Sequence, residues 1–188
     1  MTASLITKKI IAASLKRLME TESFHKISVG DIMRHCDMRR QTFYYHFIDK
    51  YELLGWIYKE ETKENIEDFL DYERWENIFE LLIEYFYENQ RFYRRAFEVT
   101  EQNSFNHYLF EHTKNLYKKI IDELPGGGKG LAEASKIAIA SFYSHGFVGT
   151  IKEWIENHCA MPPAVLSSLM KEMIHNQLTL LLQNERSR

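Results

Sequence analysis

The sequence predicts an all-α protein of about nine helices, and three observations support this fold class. Only 3 Pro and 8 Gly occur among 188 residues, so few positions would interrupt a helix. Apolar residues recur with helical spacing, for example from Leu5 to Met19 and from Val165 to Leu182. No run alternates apolar and polar residues with the two-residue period of a β-strand. With 45% hydrophobic residues, a chain of this length can bury a substantial core.

The predicted helices follow one another with short connections. They lie at about residues 4–20, 29–35, 39–45, 50–70, 75–88, 90–97, 105–122, 131–157 and 163–183. Ser28 is a good N-cap for the second helix, because its hydroxyl can accept a free backbone N–H, and Asp31 completes a capping pair. The fourth helix is long enough to connect a small unit to a larger one. We therefore place a helix-turn-helix unit at residues 1–50 and a helical body at residues 51–188.

Charge is unevenly distributed between these two parts. The net charge is −3, yet residues 1–50 hold nine Lys or Arg against five Asp or Glu, a balance of +4. The remaining residues therefore carry −7. Attraction to phosphate is local, because salt screens charges beyond about 10 Å. A basic unit on an acidic body thus suits nucleic-acid binding by the N-terminal unit alone.

The most informative segment runs from Ile27 to Leu54, where two short helices flank a three-residue turn between longer helices. This order is the layout of a helix-turn-helix. Arg can bond a guanine edge, Gln can pair with adenine, and Thr or Tyr can contact phosphate. The second short helix carries these types at Arg39, Arg40, Gln41, Thr42, Tyr44 and Tyr45. A solvated basic helix with surface-packed tyrosines is the alternative interpretation, and we favour DNA contact.

This segment resembles the TetR family of transcriptional regulators. The hallmark of that family is Thr-(Leu/Phe)-Tyr-x-(His/Tyr)-Phe followed by x-x-Lys-x-x-Leu. The chain has Thr42-Phe-Tyr-Tyr-His-Phe47 and then Ile48-Asp-Lys-Tyr-Glu-Leu53. Upstream, Ile27-Ser-Val-x-x-Ile32 matches the family's entry to its second helix. The resemblance covers about residues 7–58 and implies an N-terminal three-helix DNA-binding domain with a C-terminal helical ligand-binding and dimerisation domain.

The resemblance also implies roles for individual residues. Thr42 and Tyr44 should contact DNA, and Tyr45 should approach phosphate. Lys50 should hold phosphate from the start of the fourth helix. Ser28 should cap its helix and touch the DNA backbone.

Two positions depart from the family pattern. Many members have small residues where Arg39 and Gln41 stand, at positions that read bases, so the operator sequence stays open. The Arg-Arg-Gln-Thr-Phe-Tyr run, with Glu-Leu-Leu-x-Trp-Ile-Tyr after it, is similar to a Firmicutes subgroup that includes regulators of dihydroxyacetone-kinase operons. The usual family member is a repressor released by a ligand, whereas some regulators of that subgroup are activators controlled by a partner protein. Both modes stay open.

The body is rich in aromatic residues, and helical spacing makes most of them core. Those that line a cavity would form an effector pocket, largely apolar with a few polar groups. The predicted pocket residues are Tyr85, Phe86, Phe97, Tyr108, His112, Phe142 and Tyr143. A small-molecule effector or a protein co-regulator would act by binding two states of the body differently, which shifts the separation of the DNA-binding units.

The last two predicted helices indicate a homodimer. The eighth carries small residues that permit close helix approach, and the ninth has an apolar face wide enough for its own chain and a second one. The predicted interface residues are Ala138, Ser141, His145, Gly149, Leu166, Leu169, Met170, Met173, Ile174, Gln177, Leu178 and Leu181. In the resembled family, these two helices of each chain form a four-helix interface. A twofold dimer would bind a palindromic operator in double-stranded DNA.

Other functions find little support in the sequence. There is no Gly-rich phosphate loop, nucleophile elbow or convergent acid–base set, so we predict no catalytic residues and no cofactor. His107 and His112 are five residues apart, which does not put both on one helix face, so we predict no metal site. No apolar run reaches the roughly 18 residues of a membrane span, and we expect a cytoplasmic protein. The remaining alternative is a helical interaction protein that does not bind DNA.

Overall fold

The computed structural model describes residues 3–65, 75–99, 105–123 and 131–186, and every regular element within these ranges is an α-helix. The helices are α1 (Ala3–Thr21), α2 (Val29–His35), α3 (Arg40–His46), α4 (Lys50–Asn65), α5 (Trp75–Glu88), α6 (Gln90–Phe97), α7 (Phe105–Glu123), α8 (Glu133–Glu156) and α9 (Pro163–Arg186). The prediction of an all-α fold with an N-terminal helix-turn-helix is confirmed.

Two helices begin later than predicted, for a local reason in each case. α3 begins at Arg40, because Arg39 is extended (φ −73°, ψ 142°) and occupies the N-cap. α8 begins at Glu133, because Ala132 is extended at ψ 146°. The end of the predicted fourth helix, after residue 65, lies outside the described residues, as do residues 71–74, 100–104 and 124–130 between later predicted helices.

α1 organises the N-terminal unit, since it packs against α2, α3, α4 and α6. Ile11 and Leu15 are spaced by one turn and fully buried on its inward face. Ser14 lies beside them, and its hydroxyl donates to the Ile32 carbonyl at 2.6 Å while lying 3.1 Å from His35 Nδ1. The single hydroxyl proton is used on the carbonyl, so His35 donates through Nδ1. α2 is therefore held to α1 by polar as well as apolar contacts.

The interior of the body is aromatic. α7 packs along α8 and α5 packs along α9, while α4 reaches into the same core. Tyr58, Phe86, Tyr93 and Phe105 pack ring against ring with centroids between 4.8 and 6.4 Å apart, mostly edge to face. We call these four residues the aromatic cluster. Because Tyr58 belongs to α4, the cluster attaches the connecting helix to the body.

The connection between α8 and α9 has an unusual backbone. His158 and Cys159 both adopt the left-handed region, at φ 57° and 50°. Such residues persist where their surroundings over-determine them. Arg94 of α6 supplies part of that constraint, since its Nη2 donates to the Ile155 carbonyl at 3.1 Å and lies 2.8 Å from His158 Nδ1. Trp154 Nε1 adds a hydrogen bond to a carbonyl of the same connection at 2.8 Å.

The described ranges contain no helix long and apolar enough to cross a membrane. Within those same ranges, no three His, Cys, Asp or Glu side chains come together as a metal site would require. Cys36, at the C-cap of α2, and Cys159, after α8, are both free thiols.

Candidate nucleic-acid interface

α2 begins with a reciprocal cap. Ser28 is extended, and its hydroxyl oxygen accepts the Asp31 N–H at 3.1 Å, while an Asp31 carboxylate oxygen accepts the Ser28 N–H at 3.0 Å. The Ser28 hydroxyl also donates to that carboxylate at 2.6 Å. These hydrogen bonds from Ser28 hold the pKa of Asp31 below its usual value. The predicted capping role of Ser28 is confirmed, and its contact with DNA stays a prediction.

The turn between α2 and α3 passes through the left-handed conformation. Asp37 has φ 53°, a region that aspartate tolerates better than most residues. Its N–H donates to the Arg34 carbonyl at 3.2 Å, and the Met38 N–H donates to the Met33 carbonyl at 2.9 Å. These two bonds close α2 and redirect the chain into α3. The turn thus sets the crossing of the two short helices.

α3 is anchored by aromatic side chains and presents polar ones. Phe43 is fully buried and Phe47, at the C-cap, is 2% exposed. Tyr45 is 83% exposed and Tyr44 is 51% exposed. The other predicted contact residues on this helix and its cap are Arg39, Arg40 and Gln41, which are exposed, and Thr42, which is half-buried. The structure therefore brings the predicted recognition residues to the accessible side of α3.

Arg40 and Tyr44 form a pair one turn apart. Arg40 Nη2 donates to the Tyr44 hydroxyl oxygen at 3.0 Å, and the guanidinium carbon lies 5.6 Å from the ring centre. The phenol oxygen accepts in this pair, so its own proton is free to be donated to a phosphate. Arg39 makes no side-chain capping bond at the start of α3. A guanidinium has only donors, so it cannot cap the free N–H groups at a helix start.

The structure gives Lys50 contacts within the protein that the sequence did not predict. Its ammonium donates to the carbonyls of Phe24, His25 and Ile27 at 2.8, 3.2 and 2.9 Å. An ammonium has three protons, and these three carbonyls use them. The nitrogen also lies 4.6 Å from the centre of the Phe24 ring. Lys50 therefore fastens the connection between α1 and α2 to the start of α4, and its contact with phosphate stays a prediction.

Replacing Lys50 with methionine is expected to lower the free energy of unfolding by about 2 kcal/mol, because charge-assisted bonds to three carbonyls are lost. Chemical denaturation measures this change, with Lys26→Met, at an exposed lysine of the same connection, as the control. Operator binding by the folded variant should keep the salt dependence of the parent. A salt dependence reduced by about one phosphate contact would instead confirm that Lys50 contacts phosphate.

Sequence reasoning missed Arg34 as a candidate for phosphate contact. It lies in the last turn of α2 and its side chain is 79% exposed. Its ion pair with Asp31, at 3.0 Å, lies on the surface, and such pairs contribute little to stability. With Arg39 and Arg40 it lines an open groove beside the turn. Its basic charge next to the predicted turn was the available signal.

Four of the predicted pocket residues lie together, and the other three lie apart from them. Tyr85, Phe86 and Phe97 are buried in or beside the aromatic cluster, and half-buried His112 reaches it through a 2.6 Å hydrogen bond to the Tyr58 hydroxyl. Half-buried Tyr143 instead packs on Tyr117, 5.5 Å between ring centres. Half-buried Tyr108 lies against α4 at Gly55. The structure corrects Phe142, which is 75% exposed on α8 and does not line the interior of the body.

The predicted dimer residues also separate into exposed and buried ones. Those exposed or half-buried on α8 and α9 are Ala138, Ser141, His145, Gly149, Leu169, Met170 and Met173. Leu166 and Ile174 are only 6% and 2% exposed, because they face the core of their own chain where α9 packs on α5. They therefore offer no surface to a second chain, which corrects that part of the prediction. The side chains of Gln177, Leu178 and Leu181 lie outside the described part of the structure.

Comparison with known families agrees with this geometry. Residues 10–55 match the family described as bacterial regulatory proteins of the tetR family, and residues 73–176, more than half of the chain, match its TetR_C_8 transcriptional regulator C-terminal region. The chain belongs to the TetR family of transcriptional regulators. The TetR-family assignment accounts for the two-part fold and for the helix-turn-helix at the N-terminus.

Individual relatives refine the comparison. The HTH-type dhaKLM operon transcriptional activator DhaS of Lactococcus lactis is 43% identical over 121 residues, a match that spans 64% of each chain. That match covers slightly less than two thirds of the relative's length. A solved structure of the dihydroxyacetone kinase operon activator DhaS is 32% identical, covers 94% of this chain and 98% of its own, and superposes with a TM-score of 0.74.

More distant structures share the fold of this TetR-family chain. The fatty acid degradation regulator FadR of Bacillus halodurans superposes with a TM-score of 0.67 at 12% identity, covering 93% of this chain and 95% of its own. NalD of Pseudomonas aeruginosa, the secondary repressor of a multidrug efflux pump, reaches 0.60 at 16% identity, with 92% and 96% covered. At these identities the likeness concerns the fold alone.

Proposed function

We propose that this TetR-family regulator binds a palindromic operator as a homodimer and activates transcription of a nearby operon. The observation that carries the proposal is α3, where Arg39, Arg40, Gln41, Tyr44 and Tyr45 stand exposed on a helix anchored by buried phenylalanines. Guanidinium, amide and phenol groups on one short helix match the donors and acceptors of a major groove and its phosphates. The protein acts in the cytoplasm, where the chromosome lies.

The outer faces of α8 and α9 support a homodimer. Phe142, Val165, Leu169 and Met173 are 75%, 47%, 45% and 65% exposed in the single chain. Exposed large apolar side chains on these two helices are the kind of surface that a second chain covers. Another copy of the same two helices would cover them with a twofold interface. That symmetry would place the two α3 helices about 34–36 Å apart, in successive major grooves.

Activation is the sign of regulation that the relatives favour. The matched relatives named DhaS are described as activators, one of the dhaKLM operon and one of a dihydroxyacetone kinase operon. We propose a dihydroxyacetone-kinase operon as the target of this chain also. The body would respond either to a small molecule that enters at the aromatic cluster, with Tyr58 and His112 as polar partners, or to a protein co-regulator on its surface. In vitro transcription with the purified chain tests whether it activates or represses. Repression from a recovered operator would contradict the proposed activation.

Replacing Arg39 with alanine should weaken operator binding about tenfold, since one base-reading guanidinium is worth about 1–3 kcal/mol. The affinity for an unrelated duplex should fall less, so the ratio of operator affinity to unrelated-duplex affinity should decrease. Fluorescence-anisotropy titration measures both, with Arg17→Ala, at an exposed arginine of α1, as the control. An equal loss on both duplexes would make Arg39 a phosphate contact instead.

The proposal as a whole is tested by selecting genomic fragments with the purified chain and sequencing the recovered duplexes. We expect one inverted repeat to be enriched, upstream of genes for phosphorylation of a short polyol or ketone. Enrichment of no common sequence would contradict operator recognition, and a single non-palindromic site would contradict the dimer.

A further inference from the structure

Four helices meet around the side chain of Lys16 in α1. Its ammonium donates to both carboxylate oxygens of Glu61 in α4, at 2.7 and 3.0 Å, and to Asn89 Oδ1 between α5 and α6, at 3.3 Å. It also lies 5.3 Å from the ring centre of Phe92 in α6. Tyr85 of α5 donates its hydroxyl to the same Glu61 carboxylate. One lysine thus links the helix-turn-helix unit to the connecting helix and to the body.

The hydrogen bonds behind Glu61 run in one direction. The ionised carboxylate only accepts, so the Tyr85 proton points to Glu61. The Tyr85 oxygen then accepts the hydroxyl proton of Tyr93, which lies 2.5 Å away and is fully buried. Burial raises the pKa of both phenols, so they stay protonated and keep this order. We call Lys16, Glu61, Tyr85, Asn89 and Tyr93 the Lys16 junction.

The junction acts on the segment of α1 that carries α2 and α3. Leu15 is fully buried next to Lys16, and Ser14 bonds the α2 backbone directly. A displacement of α1 at Lys16 would therefore carry the recognition helix with it. Lys16 and Glu61 keep only 26% and 25% of their side chains exposed, so solvent screens this pair less than an ordinary surface pair.

We propose that the Lys16 junction positions α3 for DNA by holding α1 against α4 and against the α5–α6 end of the body. Lys16, Glu61 and Tyr85 are positioning residues and do not contact DNA. When the junction is broken, the helix-turn-helix unit samples other orientations. The operator affinity then falls in proportion to the fraction of molecules that keep the orientation needed for binding. A ligand or partner that moves α5 or α6 would use the same contacts to change DNA binding. This inference rests on the proposed function, because it concerns affinity for the operator.

The test is an anisotropy titration of the full chain on its recovered operator. Lys16→Met and Glu61→Gln should each weaken operator binding about tenfold. The double variant should bind as well as the single variant that binds less tightly, because both substitutions remove the same Lys16–Glu61 interaction. The salt dependence should stay that of the parent. Lys114→Met removes a pair within α7, with Glu111 at 2.9 Å, and is the control expected to bind normally. Parental affinity in Lys16→Met, additive losses, or a salt slope reduced by about one would overturn the proposal.

A second variant covers the case in which Lys16→Met does not fold. Tyr85→Phe combined with Tyr93→Phe removes both phenol oxygens together and leaves no buried hydroxyl without a partner. We expect it to fold and to bind the operator several-fold more weakly. Parental affinity in this variant would overturn the proposal.

Hydrogen exchange on the DNA-free chain separates this inference from the function itself. Breaking the junction should speed amide exchange in α1–α3 relative to α7 and α8. If the parent binds no duplex, the proposed function fails while this comparison still tests the junction. Unchanged exchange in α1–α3 would show that the junction does not hold the unit.

Discussion

Introducing glutamate at Met173 is expected to convert the proposed dimer to a monomer and to weaken operator binding about a hundredfold. Met173 is 65% exposed on α9, so the single chain tolerates the charge, whereas a dimer interface would have to bury it without a partner. A monomer binds one half-site, and the loss of the linked second site removes two or more orders of magnitude in affinity. Light scattering after size exclusion measures the mass, and anisotropy measures binding.

Ala164→Glu is the matched control for this prediction. Ala164 is also exposed on α9, but it lies about half a turn around the helix from Met173, away from the exposed apolar residues. This variant should remain dimeric and bind normally. If Met173→Glu were also a dimer with parental affinity, the interface proposed on α8 and α9 would be wrong.

Substituting Gly55 with valine should lower the free energy of unfolding by about 3 kcal/mol. A Cβ at Gly55 would lie 2.4 to 2.7 Å from ring atoms of Tyr108, far inside contact distance, so α4 and α7 approach here as closely as glycine permits. Elsewhere in a helix, replacing glycine with alanine normally stabilises by about 0.5–1 kcal/mol. Gly55→Ala should therefore destabilise, with a sign opposite to the usual effect.

Two comparisons check that steric explanation by chemical denaturation. Gly30→Ala in α2 is the control, because a Cβ there meets only the Ser28 hydroxyl oxygen at 3.4 Å, and it should stabilise slightly. Adding Tyr108→Ala to Gly55→Ala should recover most of the loss caused by the glycine change. A stabilising Gly55→Ala would mean that the Tyr108 ring swings aside at little cost.

Local patterns predicted most of the fold. Helical periodicity, the scarcity of Gly and Pro, and the Ser28–Asp31 cap are properties of neighbouring residues, and the structure agrees with each of them. The exposed face of α3 was also predictable, because Phe43 and Phe47 alternate with polar residues at helical spacing. The family match adds the assignment to TetR regulators independently of these patterns.

Contacts between distant residues were not predictable from the sequence. Lys50 bonds carbonyls that lie 23 to 26 positions earlier, and nothing in its own surroundings distinguishes that role from phosphate binding. On α9, apolar residues lie both on the side that faces the core and on the side that faces solvent. Periodicity therefore could not separate buried Leu166 from exposed Leu169. Lys16 and Glu61 are 45 positions apart, and only the packing of α1 on α4 brings them together.

Sequence recognition by α3 can be measured by an anisotropy titration on the recovered operator and on a scrambled duplex. At about 50 and 200 mM salt, we expect a steep fall in affinity on both duplexes. At the higher salt the operator should still bind with a Kd of about 10 nM, at least a thousandfold below that of the scrambled duplex. Equal affinities for the two duplexes, or an affinity that does not change with salt, would show that α3 does not recognise DNA sequence.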